Sequence, residues 1–373
     1  MRRINKAPIL SPVMQNSQRG AVLIIVLWTA ALLTVLVTAM AAKVRLSAQT
    51  VVNNHDSATQ WMQVQDAVNK AKAEIMLESM PPSIELELPR DIDGEIRNQL
   101  YRFNGQPLNL YYPDADDMVV RIYNHAGKIS LNRIQRTVLR MIIEERLGGT
   151  EVASPAQVQE LMDAWTDWTD LNSLSSGPGG AESLYYQQLD PPYSARNNPD
   201  LESVEEILLI RGFAELFEGV DVEAAFTIYG TDRQLNLNYA TREAMSLLPG
   251  MTEEVIENVI AYRQERDINN RGDMAEFIPF EVLQEVGNWL GSGTSEFYSV
   301  YAYPKANEEE LELEEPMGDE EFINPDPATR GYMEIIQTSG WDTLPTVLMV
   351  DPYASLPDTA PARLREGEGF FDR

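Results

Sequence analysis

Between Asp167 and Asn198 the chain offers oxygen donors at short intervals: Asp167, Asp170, Asn172, Glu182 and Asn197, on a stretch interrupted by Gly177, Gly179 and Gly180. Hard oxygens on a pliable loop suit calcium, which takes about six to eight of them in loose geometry. The same residues serve equally as a solvated acidic turn, and the residues alone leave both readings open. Other chemistry finds little support. There is no cysteine, and the two histidines, His55 and His125, stand outside any Ser, Cys or acid pattern that would pair a nucleophile with a base. No HExxH occurs, so zinc hydrolysis is unsupported. Asp163, Asp167 and Asp170 read as helix-end and loop solvation and not as an acid–base pair. The expectation is a protein that is not an enzyme.

The elements around this loop are helical. Ala156 to Trp168 and Ser203 to Phe217 carry helical periodicity and bracket the Gly-, Pro-, Ser- and Asn-rich run from Leu171 to Pro199. A loop of that length points to function or a ligand. Upstream, Ile84, Leu86 and Leu88 alternate with Glu85 and Glu87, and Met118 to Tyr123 is β-rich after the turn-forming Pro113 to Asp117. An internal repeat follows. Gly127 to Asn132 precedes a helical run containing Val138, Leu139, Met141 and Ile142, and Leu235 to Asn238 precedes Ala244, Met245, Leu247 and Leu248. In both, a strand ends in Asn, and either that Asn or the polar residues after it can cap the next helix. Two strands of one sheet with a helical insert between them account for the pattern.

Leu248-Pro249-Gly250-Met251, followed by Val255, Val259, Ile260 and Arg263, resembles a helix-hairpin-helix, with a weaker echo at Ile210 to Phe213. DNA-binding versions carry Gly-x-Gly, whose amides approach a phosphate. Here Thr252 replaces the second glycine and Glu253-Glu254 follow, so acid sits where phosphate would. The unit reads as a packing or protein-contact module.

All of this follows an uncharged apolar run, Ala21 to Ala42, which begins directly after Arg19-Gly20. It is long enough to span a bilayer, which needs about 20 apolar residues. A Sec signal has a shorter apolar region, and although Ala39-Met40-Ala41 offers an A-x-A site, the helical pattern runs on past it. A plain signal anchor fits the span itself. Arg2, Arg3, Lys6 and Arg19 before it, against Lys43 and Arg45 after it, favour the N-terminus inside and the bulk of the chain outside. No glycine or proline falls between Ala21 and Met80, and Ala48, Val51, Ala58, Trp61, Val68, Ala71 and Ile75 mark one helical face. Pro81-Pro82 should end the helix, which at its full length would reach on the order of 90 Å.

The formal charge of -29 makes nucleic acid and anionic headgroups poor partners for the head. With no cysteine in an exported chain, stability must come from cores or bound metal. Almost 300 residues after the helix suggest two lobes.

The leader ending in Gly20 resembles the class III signal of type IV pilins and type II secretion pseudopilins, cut between Gly20 and Ala21. The Leu-Asn junctions, Trp168 to Asn172, Gly179 to Glu182, Tyr185-Tyr186, Pro191-Pro192-Tyr193 and Asn197 together resemble the type II secretion minor pseudopilin K family, over most of Gly20 to about Tyr303. That resemblance implies an α+β, pilin-like fold: a long N-terminal membrane helix, an antiparallel sheet, and a large inserted α-helical domain containing the helix-hairpin-helix-like elements. It implies cleavage by prepilin peptidase, an inner-membrane anchor with the head in the periplasm, and a place at the pseudopilus tip with minor pseudopilins I and J, with H and the major pseudopilin as further neighbours. It also implies calcium held by Asp170, Asn172 and Glu182, with Asp167 and Asn197 as additions, although Asn172 replaces a usual aspartate and Ser183 a common acid. Major pilins carry a glutamate at the fifth mature position, where it offsets a neighbour's N-terminal ammonium inside lipid; here that position is Ile25, which fits a tip with no subunit above. The alternative is an inner-membrane-anchored DNA receptor of the competence type using the hairpin.

The chain then divides into a leader (1–20), the long helix (21–80, membrane part 21–42), a pilin-like α+β part (81–130), the inserted α-domain (131–225), a second strand-helix part completing the head (226–303) and an acidic tail (304–373). Glu308 to Glu315 and Asp319 to Glu321 make that tail read as partly disordered. Thr346 to Val350 is apolar enough to dock as an edge strand.

Overall fold

The computed structural model describes residues 18–80, 102–108, 110, 112, 118–305 and 330–357. The leader before residue 18, the alternating Ile84 to Leu88, Pro81-Pro82, Pro113 to Asp117 and the acidic block Glu308 to Glu321 lie outside the described residues. The chain forms two compact units, 1–61 and 62–373.

With no helix breaker in the way, the apolar run continues as one helix, α1 (Gln18–Glu78), which begins ahead of the Gly20-Ala21 junction. It is long and apolar enough to cross a membrane. Within the first unit the hydroxyls of Thr29, Thr34, Thr38 and Thr50 donate to carbonyls one turn back, at 2.8–2.9 Å. That pairing satisfies these hydroxyls within the helix itself, as a hydrocarbon setting would require.

In chain order the strands are β1 (Asn104–Pro107), β2 (Met118–Asn124), β3 (Ile129–Ser130), β4 (Phe226–Thr227), β5 (Leu235–Asn236), β6 (Leu290–Gly291), β7 (Phe297–Pro304), β8 (Arg330–Gln337) and β9 (Thr346–Ser355). After α1 the helices are α2 (Arg136–Arg146), α3 (Pro155–Thr169), α4 (Ser183–Tyr186), α5 (Phe213–Leu216), α6 (Val222–Ala225), α7 (Arg242–Ser246), α8 (Glu253–Glu265), α9 (Arg271–Met274) and α10 (Phe280–Val286).

The second unit has two layers at one end. Val64, Ala67, Val68, Ala71 and Ile75 of α1 are buried; their spacing of three and four puts them on one helical face. They share a core with Phe103, Val120, Ile122, Val300, Ala302, Tyr332 and Ile336 on a five-stranded antiparallel sheet of order β1-β2-β7-β8-β9. Burying a Val or Ile here contributes about 1.5–3 kcal/mol. Two ion pairs fix the helix at its rim: Lys72 with Glu334 at 2.5 Å, and Arg102 with Glu74 at 2.6 Å.

Residues 330–355 correct the reading of everything after 304 as tail. Once β7 presents a free edge, Met333, Ile335 and Ile336 gain a buried surface that their local composition does not announce. β9 closes the sheet as an edge strand, as its apolar content suggests, and carries Pro352, which an edge tolerates.

Between β2 and β7 lies the inserted helical part. Its core runs from Ile129 to Leu290 as one cluster, so residues 226–291 pack with the inserted domain and only β7 returns to the sheet. The two Leu-Asn junctions are not strands of one sheet. β3 pairs parallel with β4, and β5 pairs parallel with β6. The asparagines do not cap the helices that follow, but at the second junction the polar residue Thr241 does, its hydroxyl accepting from Ala244 N–H at 3.1 Å. Asn132 donates to Leu201 and Ile228 carbonyls and accepts from Leu201 N–H; Asn238 donates to Ile268 O and accepts from Ile268 N–H. Each side chain thereby ties together segments remote in sequence. The periodicity over 203–217 resolves into a 3-10 turn, Glu205–Leu209, and α5, because Gly212 takes φ +79 between them. Residues 242–265 form a short helix, a turn at Gly250 with φ +68, and a longer helix whose Thr252 hydroxyl accepts from Val255 N–H.

Candidate functional site

Helix α3 delivers the oxygen-rich loop. Pro155 opens the helix, and Val158, Leu161, Met162 and Trp168 are its large buried apolar positions. Trp168 anchors the far end: its indole N–H donates to Glu206 Oε1 at 2.9 Å, and its ring meets Tyr186 edge-on at 5.1 Å. Tyr186 in turn stacks on Tyr193 at 5.0 Å. These aromatics, singled out by the sequence, act as the pillar on which the loop folds back.

On that pillar, Asn197 sits at φ 49, a left-handed conformation that Asn tolerates better than most residues. Its side-chain amide donates to Asn172 O at 2.6 Å, to Glu182 Oε2 at 3.1 Å and to Asp167 O at 3.5 Å. The loop ends, 25 and 30 residues from Asn197 in sequence, thus converge on one amide nitrogen. Asp167 is fully buried; its Oδ1 accepts from Ser176 N–H at 2.8 Å, while Oδ2 has no hydrogen-bond partner. Glu182 Oε1 is likewise buried and unpartnered. A Cβ at Gly180 would fall 2.5 Å from Asp167 Oδ2, so only glycine lets the loop close over that carboxylate.

Asp170 and Asn172 behave differently. Asp170 accepts from Asn172 N–H at 3.1 Å and from its side-chain amide at 2.8 Å, and Asn172 Oδ1 accepts from Leu174 N–H at 2.7 Å. Their side-chain oxygens are engaged in local turns, and it is the Asn172 main-chain oxygen that faces Asn197. Among the described residues no group of three or more His, Asp or Glu side chains is placed to hold a metal together. The oxygen set around Asn197 is therefore mixed, with main-chain oxygens of Asp167 and Asn172 beside the Glu182 carboxylate. Such a set suits calcium and not zinc. The buried unpartnered oxygens of Asp167 and Glu182 are the kind of group a cation satisfies. By donor chemistry the residues fit calcium.

By sequence His125 stands outside any Ser, Cys or acid pattern, and the fold brings two hydroxyls to it. His125 is buried with Nδ1 2.7 Å from Thr227 Oγ1 and Nε2 2.9 Å from Ser299 Oγ. Burial, then the nearby Lys128 ammonium, hold its imidazole well below the usual histidine range. Lys128 Nζ donates to Glu223 O at 2.7 Å. Among the described residues no carboxylate bonds the ring, and Ser299 is fully buried. This buried polar network links β4 of the inserted part to β7 of the sheet. Sequence reasoning missed it because the partners lie 102 and 174 residues away.

Three comparisons bear on these observations. Residues 129–217 match the family model described as Type II secretion system (T2SS), protein K. A search of curated proteins returned no match. Among solved structures, the fold is similar to a chain in the crystal structure of the GspK-GspI-GspJ complex from the type 2 secretion system of enterotoxigenic Escherichia coli, with TM-score 0.50 and 13% identity, covering 81% of this chain and 98% of that one. At that identity the likeness shows the fold: mixed helix and sheet behind a long apolar N-terminal helix.

Proposed function

We propose, from the match of residues 129–217 to the type II secretion system protein K family model, that the chain is a minor pseudopilin at the tip of the pseudopilus, where it initiates or caps assembly. The observation that carries the reading is architectural. The matched domain is inserted between β2 and β7 of a sheet on which the last turns of α1 pack. A filament subunit needs that combination: an apolar helix to bundle with its neighbours, a rigid head to set the spacing, and an elaboration displayed where no further subunit stacks.

Prepilin peptidase would cut between Gly20 and Ala21 and leave the helix to hold the protein in the inner membrane with its head in the periplasm. Ile25 stands where a subunit that inserts beneath another would need a glutamate. Its absence suits the terminal position, since an unpaired carboxylate in lipid is costly. The partners of this reading are minor pseudopilins I and J, with H and the major pseudopilin below them. In the solved relative the chain stands in a complex with GspI and GspJ.

Calcium is assigned to the Asn197 cluster, where Glu182 and the main-chain oxygens of Asp167 and Asn172 would hold it and Asp167 would add its buried charge. The ion would cross-link a loop that otherwise closes on one amide. The role is structural, and no enzymatic step is assigned. The helix-turn-helix at 242–265 serves packing: Arg242 is engaged by Glu253 and Glu257, and acid lines the helix start where a phosphate would have to approach. Nucleic acid is not a partner in this reading.

The test is co-expression of the full chain with pseudopilins I and J of the same secretion system and prepilin peptidase, followed by affinity purification from membranes. A ternary complex containing the protein shortened by its leader is expected. A monomer that ignores both pseudopilins sinks the proposal, as does duplex DNA binding at physiological salt.

A further inference from the structure

A cleft of about 460 Å³ opens beside α3, and its walls come from α2, α3, α4 and α5. That volume lies in the range of sites that hold small molecules or chain ends. Its two cations are Arg146 and Arg211. The chain has 58 acids against 29 bases, and Arg102, Arg133, Arg196, Arg242 and Arg266 are all paired with carboxylates. Among the described residues Arg146 and Arg211, like Arg263 and Arg271, bond carbonyl oxygens and make no ion pair. Arg146 donates from Nε to Leu216 O at 2.9 Å and from Nη2 to Glu218 O at 3.0 Å. Arg211 donates from Nη1 to Gly179 O at 3.2 Å, with its guanidinium 5.0 Å from the Tyr185 ring centre.

Carbonyl bonds and a stacked ring fix where a guanidinium points without neutralising it, and the remaining N–H groups stay available to an anion. Planar, pre-oriented guanidinium groups match a carboxylate. Glu160 and Glu215 line the same cleft yet make no ion pair with either arginine, so the charge is held apart from the acids nearest to it. Leu161 and Leu216, both buried, supply apolar wall. Gly212 at φ +79 keeps the floor free of a side chain, since a Cβ there would lie 2.7 Å from Leu161 Cδ2.

We propose that this cleft binds the C-terminal end of a polypeptide, its terminal carboxylate taken by Arg146 and Arg211 and its last apolar side chain lying against Leu161 and Leu216. A chain end brings one negative charge and an apolar group together. An internal acidic segment would carry several charges past Glu160 and Glu215 into a strongly negative protein, which disfavours it. The site is independent of the pseudopilus reading, because it rests on this cleft alone.

The experiment uses the purified full chain in detergent and fluorescein-labelled hexapeptides ending in Leu, Val, Phe or Ala, read by fluorescence anisotropy. At least one peptide should bind with a free carboxylate and lose tenfold or more in affinity when its C-terminus is amidated, a comparison that needs no variant. R146Q and R211K should each weaken the free-acid peptide by at least fivefold while R136Q, on the same helix as Arg146, leaves it unchanged. The proposal is overturned by equal binding of acid and amide forms, by no binding of any of the four at 1 mM, or by wild-type affinity in both R146Q and R211K. An amidated peptide with an internal Asp binding as well as the free acid also overturns it, in favour of side-chain carboxylates.

Discussion

Asn197 donates its side-chain amide to Glu182 across 15 residues of loop, at 3.1 Å, and to the Asn172 carbonyl at 2.6 Å. One nitrogen holds together three acceptors that would otherwise repel one another, which is the position a cation would occupy electrostatically. Calcium added to the purified chain is expected to raise the melting temperature, by about 2.7 kcal/mol of linkage when the ion is at 100-fold its Kd, and chelation should reverse it. E182Q should abolish the response. A melting curve indifferent to calcium rejects the ion assignment while leaving the loop's fold intact.

Processing gives a sharper test at Gly20. With prepilin peptidase present, intact mass should drop by the leader up to Gly20, and G20V should keep full length. Because α1 runs continuously through this junction, the variant should insert and fold as before, which protease resistance of the head would show.

The buried His125 network should be costly to break from either side. T227V and S299A each leave a ring nitrogen without its hydroxyl in a buried site, and losing a partner there costs about 1–3 kcal/mol. Chemical denaturation would read it. An unchanged midpoint for both variants argues that the network is slack.

Stability should also depend on pH through Glu223. Burial first, then the adjoining Glu205, push its carboxyl up to about 8, with Lys128 opposing and Asp221 adding to the rise. The folded state keeps a proton that the unfolded chain releases above about 4.5, so stability falls as pH rises from there to about 8 and levels off beyond. The Glu205 carboxyl is shifted the other way, chiefly by its hydrogen bond to Glu223; its contribution changes only below the ordinary carboxylate range. E223Q should therefore flatten the decline between pH 5 and 8, and melting temperatures across that window would check it.

Gly127 offers a packing test. Its carbonyl accepts from Thr241 N–H at 3.2 Å, and an added Cβ would run into the Tyr239 backbone. G127A should destabilise by about 1–3 kcal/mol, since backbone cannot yield as a side-chain tip can. A neutral G127A would mean that this junction between the repeat halves adapts.

Local signals were legible where they depend on neighbours in sequence. The breaker-free run up to Met80 could only be helix, and Met118 to Tyr123 could only be strand. The tail misled because β8 and β9 have no meaning until β7 offers them an edge: Arg330 to Gln337 is one strand among many candidates in a stretch dominated by acid and proline. The repeated Leu-Asn junctions were visible, but not their pairing. Ile129 goes to Phe226 and Leu235 to Leu290, choices set by parallel crossovers that no local pattern encodes. In the oxygen-rich loop Asn197 and Glu182 were identifiable by type, whereas the main-chain oxygens of Asp167 and Asn172 were not, because every residue has one and only the fold aims it.

What the sequence by itself determined is the apolar helix, the absence of cysteine chemistry and the strongly negative charge, since each is a property of composition or of spacing within a few turns. What only the tertiary structure decided is which atoms meet. It sent Asp170 and Asn172 side chains into local turns, gathered Asn197, Glu182 and two carbonyls at one point, closed His125 between Thr227 and Ser299, and brought Arg146 and Arg211 to one cleft. Those outcomes depend on contacts between residues tens to hundreds of positions apart, whose free energy exists only after the core has formed.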